Sequence, residues 1–117
     1  MKNIKAIVVD DEVFGREQIK SLLKKYFPQI VLVAEAANST EALKQIYFHK
    51  PDLVFLDVEM PGSNGFDLLE KIQEHDFEII FVTAFDQYAL KAIKFSALDY
   101  LLKPLRKDEF IRQKICY

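Results

Sequence analysis

The chain lacks what several protein classes require. It has one cysteine in 117 residues, Cys116, so no internal disulfide can form, which fits a reducing cytoplasm. No apolar stretch approaches the roughly 20 residues of a membrane span, and the N-terminus has no signal-peptide pattern. An excess of one charge is also missing: 16 basic residues stand against 18 acidic ones. That balance gives no bulk attraction for nucleic acid, so DNA binding needs another domain or a very local patch. Low-complexity tracts, linkers and internal repeats are absent, and 50% of the residues are hydrophobic, which argues against disorder. A chain of this length reads as one domain and buries about two-thirds of its unfolded surface without a disulfide or metal staple.

What is present is a set of apolar runs that end in polar groups. Ala6-Ile7-Val8-Val9 runs into Asp10 and Asp11, and Leu53-Val54-Phe55-Leu56 into Asp57. Ile79-Ile80-Phe81-Val82 ends at Thr83, and Tyr100-Leu101-Leu102 at Lys103-Pro104. Strand and helix patterns alternate five times, which predicts a parallel sheet covered by helices. The strands fall at about 5–9, 30–36, 53–56, 79–82 and 100–102. The first helix, over 13–27, puts Ile19, Leu22, Leu23 and Tyr26 on one stripe and stops at Pro28. Asn38 and Glu41 have capping-box spacing for a helix holding Leu43, Ile46 and Tyr47, which His49-Lys50-Pro51 ends. Pro61-Gly62 and Gly65 mark tight turning before a helix over 66–74 that buries Leu68, Leu69 and Ile72. A fourth helix is expected over 87–95, and a last one from 107 to the chain end.

The first, third and fourth strands are continuously apolar, as expected when helices cover both faces. The second is mixed and the fifth short, so both suit edges. With right-handed crossovers this favours the order 2-1-3-4-5, a flavodoxin-like doubly wound α/β fold with helices on both faces. In that topology ligands bind outside the carboxyl ends of the first and third strands, where the winding reverses. Asp10, Asp11 and Asp57 fall at that crevice.

Crowding three carboxylates is costly, since two unit charges about 5 Å apart repel by roughly 3 kcal/mol at an effective dielectric near 20. Either a pKa rises or a cation occupies the site, and oxygen-only donors in this number suit Mg²⁺. Asp10 or Asp11 could instead cap the first helix, but capping does not explain why Asp57 closes the adjacent strand. A carboxylate such as Asp57 can attack a phosphoryl donor and hold an acyl phosphate. Lys103, the Thr83 hydroxyl and backbone N–H groups over 58–60 could meet the phosphoryl oxygens. Taken singly, Lys103 reads as a solvated lysine and Thr83 as a β-branched strand residue.

As a set, Val9-Asp10-Asp11, Asp57 followed by Met60-Pro61-Gly62, Gly65, Thr83-Ala84 and Lys103-Pro104 resembles the receiver domain of bacterial two-component response regulators over nearly the whole chain. Residues 81–90 and 97–104 look like the branch attached to LytTR (LytR/AlgR-type) DNA-binding domains. The resemblance implies that Asp57 accepts a phosphoryl group from a sensor histidine kinase. It implies Mg²⁺ held by Asp11, Asp57 and the main-chain carbonyl of Glu59, with Asp10 contributing through water. Thr83 and Lys103 would contact the phosphoryl oxygens, the Lys103-Pro104 bond would be cis, and Ala84 would leave the site open. Tyr100 matches the family's switch aromatic: it would turn as Thr83 moves toward the phosphoryl group. That change would alter the face formed by the fourth helix, fifth strand and fifth helix, favouring a homodimer. On this reading residues 1–117 form one cytoplasmic receiver domain with a short last helix, no membrane association and no effector domain. DNA would then be reached only through a LytTR domain outside these residues.

Three other readings compete. A small aspartate-nucleophile phosphatase fits Asp57-Val58-Glu59, but 117 residues leave little for a substrate-enclosing cap. A flavin-binding module on the same fold would meet repulsion from Asp10-Asp11-Glu12. A receiver-like domain that takes no phosphate would not need the full residue set. Phe85, Tyr88 and Phe95 read equally as core or as partner anchors. His49 and His75 are isolated from the acidic set, Cys116 is an incidental thiol, and residues 103–107 form a small basic cluster typical of a solvated turn.

Overall fold

The computed structural model describes residues 3–72 and 75–112. Five parallel strands form the sheet: β1 (Ile4–Val9), β2 (Ile30–Ala36), β3 (Leu53–Leu56), β6 (Glu78–Thr83) and β7 (Asp99–Leu102). Their order is β2-β1-β3-β6-β7, the expected doubly wound arrangement. The missing numbers belong to a two-residue-per-strand hairpin, β4 (Glu59–Met60) and β5 (Ser63–Asn64). Sequence periodicity cannot detect strands that short. Its turn is the Pro61-Gly62 pair, and Gly62 has φ +76°, a conformation that side chains disfavour.

Period-2 alternation explains the continuously apolar runs. Ala6, Val8, Leu53, Phe55, Ile80 and Val82 pack on one face with Ile19 and Leu23 of α1 (Val13–Tyr26) and Phe110 of α5 (Lys107–Ile111). Ile7, Val9, Val54, Leu56, Ile79 and Phe81 pack on the other, against α2 (Ser39–His49), α3 (Gly65–Lys71) and α4 (Ala89–Lys94). Both faces are buried, so neighbouring strand positions must all be apolar. Phe110 is held between Phe55 and Phe27, with ring centroids 6.0 and 5.8 Å away.

The capping prediction holds at α2, where Asn38 Oδ1 accepts from the Glu41 N–H at 2.9 Å. The Glu41 carboxylate reaches back one residue further than a standard capping box, to the Ala37 N–H at 2.8 Å. A second cap, Asn64 Oδ1 accepting from the Asp67 N–H at 2.9 Å, starts α3. Tyr47 is a correction: it is 76% exposed, and Ala42 fills the buried stripe with Ile46. The fourth helix begins at Ala89 rather than 87, and the third runs from Gly65 to Lys71. The expected helix end at Glu74 lies outside the described residues, as do the chain end and Cys116. α4 is lightly anchored: Ala92 is its one buried residue, while Leu90 and Ile93 are 80% and 71% exposed. Among the described residues no helix is long and apolar enough to cross a membrane.

Candidate functional site

Register places the polar strand ends together. Val9 pairs with Leu56, so Asp10 and Asp57 follow side by side on adjacent strands. The Asp57 N–H donates to the Val9 carbonyl at 2.9 Å, and the Asp10 N–H to Ala36 at 3.0 Å. Thr83 ends β6 opposite Leu102, and the Lys103 N–H donates to the Thr83 carbonyl at 2.8 Å. The Lys103-Pro104 bond is cis, as the resemblance implied.

Oxygens of Asp10, Asp11 and Asp57 lie within 4.8 Å of one another. Asp10 and Asp57 are buried, at 1% and 5% exposure, and Asp11 is open to solvent. Lys103 Nζ donates to Asp10 Oδ2 at 2.7 Å, to Asp57 Oδ2 at 3.0 Å and to Glu12 Oε1 at 3.3 Å. Lys103 is therefore no solvated lysine, and the basic-turn reading of residues 103–107 fails at its first member. Burial lowers the proton affinity of the Lys103 ammonium, but the Asp10 and Asp57 carboxylates outweigh that and hold its pKa above the ordinary lysine value. Burial also raises the Asp57 pKa, and Lys103 only partly offsets the shift.

Asp57 Oδ1 is buried and has no hydrogen-bond partner among the described residues. An orphaned carboxylate oxygen beside two further aspartates, in a cluster containing neither histidine nor cysteine, fits a hard divalent cation. Neither Asp10 nor Asp11 is the N-cap of α1. Glu12 holds that position without a side-chain cap, while Asp10 Oδ1 accepts from the Glu12 N–H at 3.0 Å.

The other predicted residues surround this centre. Thr83 is fully buried, and its Oγ1 accepts from the Phe85 N–H at 3.4 Å. The Tyr100 ring packs on Phe81 and its hydroxyl donates to the Phe85 carbonyl. The Glu59 side chain turns toward α4 and accepts from the Tyr88 hydroxyl at 2.8 Å. Tyr88 and Phe95 are partly buried and pack on Phe66, whereas Phe85 is exposed. The rings of His49 and His75 pack against Phe48 and Phe77, outside the acidic group.

Sequence reasoning missed three contributors. Glu12 reaches Lys103, and Arg16 binds the Asp10 main chain. Gly15 leaves room for the Asp10 carboxylate, since a Cβ there would lie 2.3 Å from Oδ2. Gly65 meets backbone rather than the end of a side chain. A Cβ would lie 2.7 Å from the Asp57 carbonyl and 2.9 Å from Leu56 Cγ, and its N–H donates to Val58 at 2.7 Å. Gly65→Ala should therefore destabilise the domain by about 1–3 kcal/mol, because rigid backbone at the strand end must yield. Urea denaturation measures this, and a neutral result would contradict the close approach.

A doubly wound sheet whose adjacent strand ends converge buried aspartates, a lysine and a threonine defines an aspartate-centred acceptor module. Residues 6–115 match the response regulator receiver domain family, and the chain belongs to it. It is 42% identical over 114 residues to the sensory transduction protein LytT of Bacillus subtilis, covering 96% of this chain and 46% of that protein. Against the transcriptional regulatory protein BtsR of Salmonella typhimurium it is 42% identical over 105 residues, with coverage of 89% and 44%. The response regulatory domain of mrkE from Klebsiella pneumoniae superposes with a TM-score of 0.86 at 29% identity, covering 94% of this chain and 91% of that one. The chain thus spans about half the length of the curated relatives it matches, whose names fit the LytTR-type resemblance. As a receiver domain it is a regulatory phosphoacceptor, which sets aside the phosphatase and flavin-module readings.

Proposed function

We propose that residues 1–117 form one receiver domain in which Asp57 accepts a phosphoryl group from a phosphohistidine of a sensor kinase. The observation that carries this is the unpartnered Asp57 Oδ1, buried in a cluster of carboxylates beside the Lys103 ammonium. In the transfer a carboxylate oxygen of Asp57 forms a bond to phosphorus. The P–N bond to the kinase imidazole breaks, and its electron pair returns to the ring, which takes up a proton. The product is an acyl phosphate on Asp57.

The Asp11 and Asp57 carboxylates and the Glu59 main-chain carbonyl would hold Mg²⁺, with Asp10 contributing through water. When bound, that ion neutralises phosphoryl oxygens and aligns the reacting groups. Lys103, already paired with Asp57, supplies a positive partner for another oxygen, and the Thr83 hydroxyl supplies a donor. Phosphorylation adds about −1.5 to −2 charges. Thr83 then moves toward the new oxygens, the Tyr100 hydroxyl leaves the Phe85 carbonyl, and its ring turns inward. The surface of α4, β7 and α5 changes and pairs two copies of the chain. In a longer cytoplasmic protein of the relatives' length, the output would be transcriptional control through a LytTR-type DNA-binding domain.

Incubation with acetyl phosphate and Mg²⁺, read by intact mass, should add about one phosphoryl group, and EDTA should abolish the gain. In the same sample the Tyr100 ring resonances should shift. Unchanged mass with Mg²⁺ present would refute the reading, and an unchanged Tyr100 spectrum after full uptake would refute the switch.

A further inference from the structure

Asp10 sits where the β1 ladder stops. The Val9 carbonyl is taken by the Asp57 N–H, and the Asp10 N–H by Ala36. The Asp10 carbonyl lies beyond these pairings in a residue almost closed to water, so it needs a partner from elsewhere. Arg16, on the first turn of α1, supplies it: Nη1 donates to that carbonyl at 2.6 Å.

The guanidinium is itself held. Arg16 Nε lies 3.4 Å from Glu35 Oε1, and the Arg16 side chain is 17% exposed. Glu35 is fixed near the end of β2, paired in register with Val8, and its other oxygen meets Lys20 Nζ at 3.5 Å. A planar fork can serve a backbone carbonyl with one nitrogen and a carboxylate with another, which an ammonium does less well. Asp10 is therefore gripped at every polar group. Its Oδ1 accepts from Glu12, its Oδ2 from Lys103, its carbonyl from Arg16, and its N–H donates to Ala36. Asp11 follows immediately in the chain, so the same grip orients the peptide from which its exposed side chain starts.

We propose that Arg16, clamped by Glu35, is a positioning residue for the acidic ledge, fixing the Asp10 carbonyl so that Asp10 and Asp11 stay aimed at the cation-binding space beside Asp57. This rests on the reading of that space as a Mg²⁺ and phosphoryl site. The Arg16 guanidinium touches neither ligand.

Calorimetric Mg²⁺ titration of wild type, Arg16→Ala, Arg16→Lys and Glu35→Gln tests it, with thermal midpoints in EDTA and phosphorylation rates recorded for each. Arg16→Ala should weaken Mg²⁺ binding by about tenfold, the scale seen when a group orienting a metal ligand is lost. Its phosphorylation rate at saturating Mg²⁺ should stay within about twofold of wild type, since the reacting groups remain. Arg16→Lys should recover part of the affinity, and Glu35→Gln should weaken it in the same direction by a smaller factor. A lowered thermal midpoint with wild-type Mg²⁺ affinity in Arg16→Ala would make the contact merely structural and overturn the proposal. If Arg16→Ala does not fold, wild-type affinity in both Arg16→Lys and Glu35→Gln overturns it equally. A wild-type protein that binds no Mg²⁺ would instead bring down the reading beneath it.

Discussion

Asp57→Asn will make the metal-free domain more stable than wild type, and Mg²⁺ will reverse the order. Burial raises the pKa of the Asp57 carboxyl, and the attraction of Lys103 does not fully offset this. For a carboxyl the sign follows directly. Below the unfolded value of 3.8 it is neutral in both states. As pH rises above that value the unfolded chain ionises first, so stability falls through the window up to the raised folded value and stays low at neutral pH. Asparagine removes the buried charge and with it the penalty. The Asp57 oxygen without a partner belongs to a class of group that costs about 1–3 kcal/mol, so a gain of about 1 kcal/mol is expected. That corresponds to a few degrees in Tm for a domain of this size. Wild type should recover about 2.7 kcal/mol at Mg²⁺ a hundredfold above its Kd, and the variant much less. The variant should also take up no phosphoryl group. Calorimetric scans in EDTA and in Mg²⁺ decide the matter, and an asparagine variant that melts earlier in EDTA would contradict the electrostatic account.

Lys103→Met will be the most destabilising of the conservative site substitutions. Methionine keeps much of the apolar stem while leaving Asp10 and Asp57 face to face without a counter-charge. Both carboxylates are buried, and the Lys103 side chain is itself 16% exposed, so solvent replaces little of the lost interaction. Removing one partner of a buried charge pair costs about 3–5 kcal/mol, and the lower end fits here because the third partner, Glu12, is exposed. Adding Asp57→Asn to Lys103→Met should restore a good part of the loss, because one of the two stranded charges is gone. Urea denaturation of the four proteins in EDTA gives this coupling. Strict additivity would mean that Lys103 and Asp57 do not interact as the 3.0 Å contact implies.

The sheet order and the converging strand ends were legible because they rest on features a linear sequence records. Leu53-Val54-Phe55-Leu56 is apolar at every position because alternate residues serve opposite faces, and Asp57 is polar because the strand stops there. Edge placement of β2 could be read in the same way from its mixed composition. What escaped notice depends on reach instead of pattern. Arg16 binds a main-chain carbonyl, and every residue has one, so no spacing marks it. Glu12 looked like a third repelling acid, but its carboxylate turns to Lys103. Tyr47 was placed inside by helical spacing, whereas the small Ala42 and Ile46 already fill the space beneath α2. The β4–β5 hairpin pairs only two residues on each side, below the length at which alternation carries information.

α4 owes its place to very little. With Ala92 as its single inward residue, sliding or re-angling that helix disturbs few dispersion contacts and leaves both packed faces of the sheet intact. Rearrangement there draws on a shallow local minimum and not on the free energy that keeps the chain folded. If Asp57 takes up a phosphoryl group as proposed, that change could be relayed outward through α4 without endangering the scaffold that carries it.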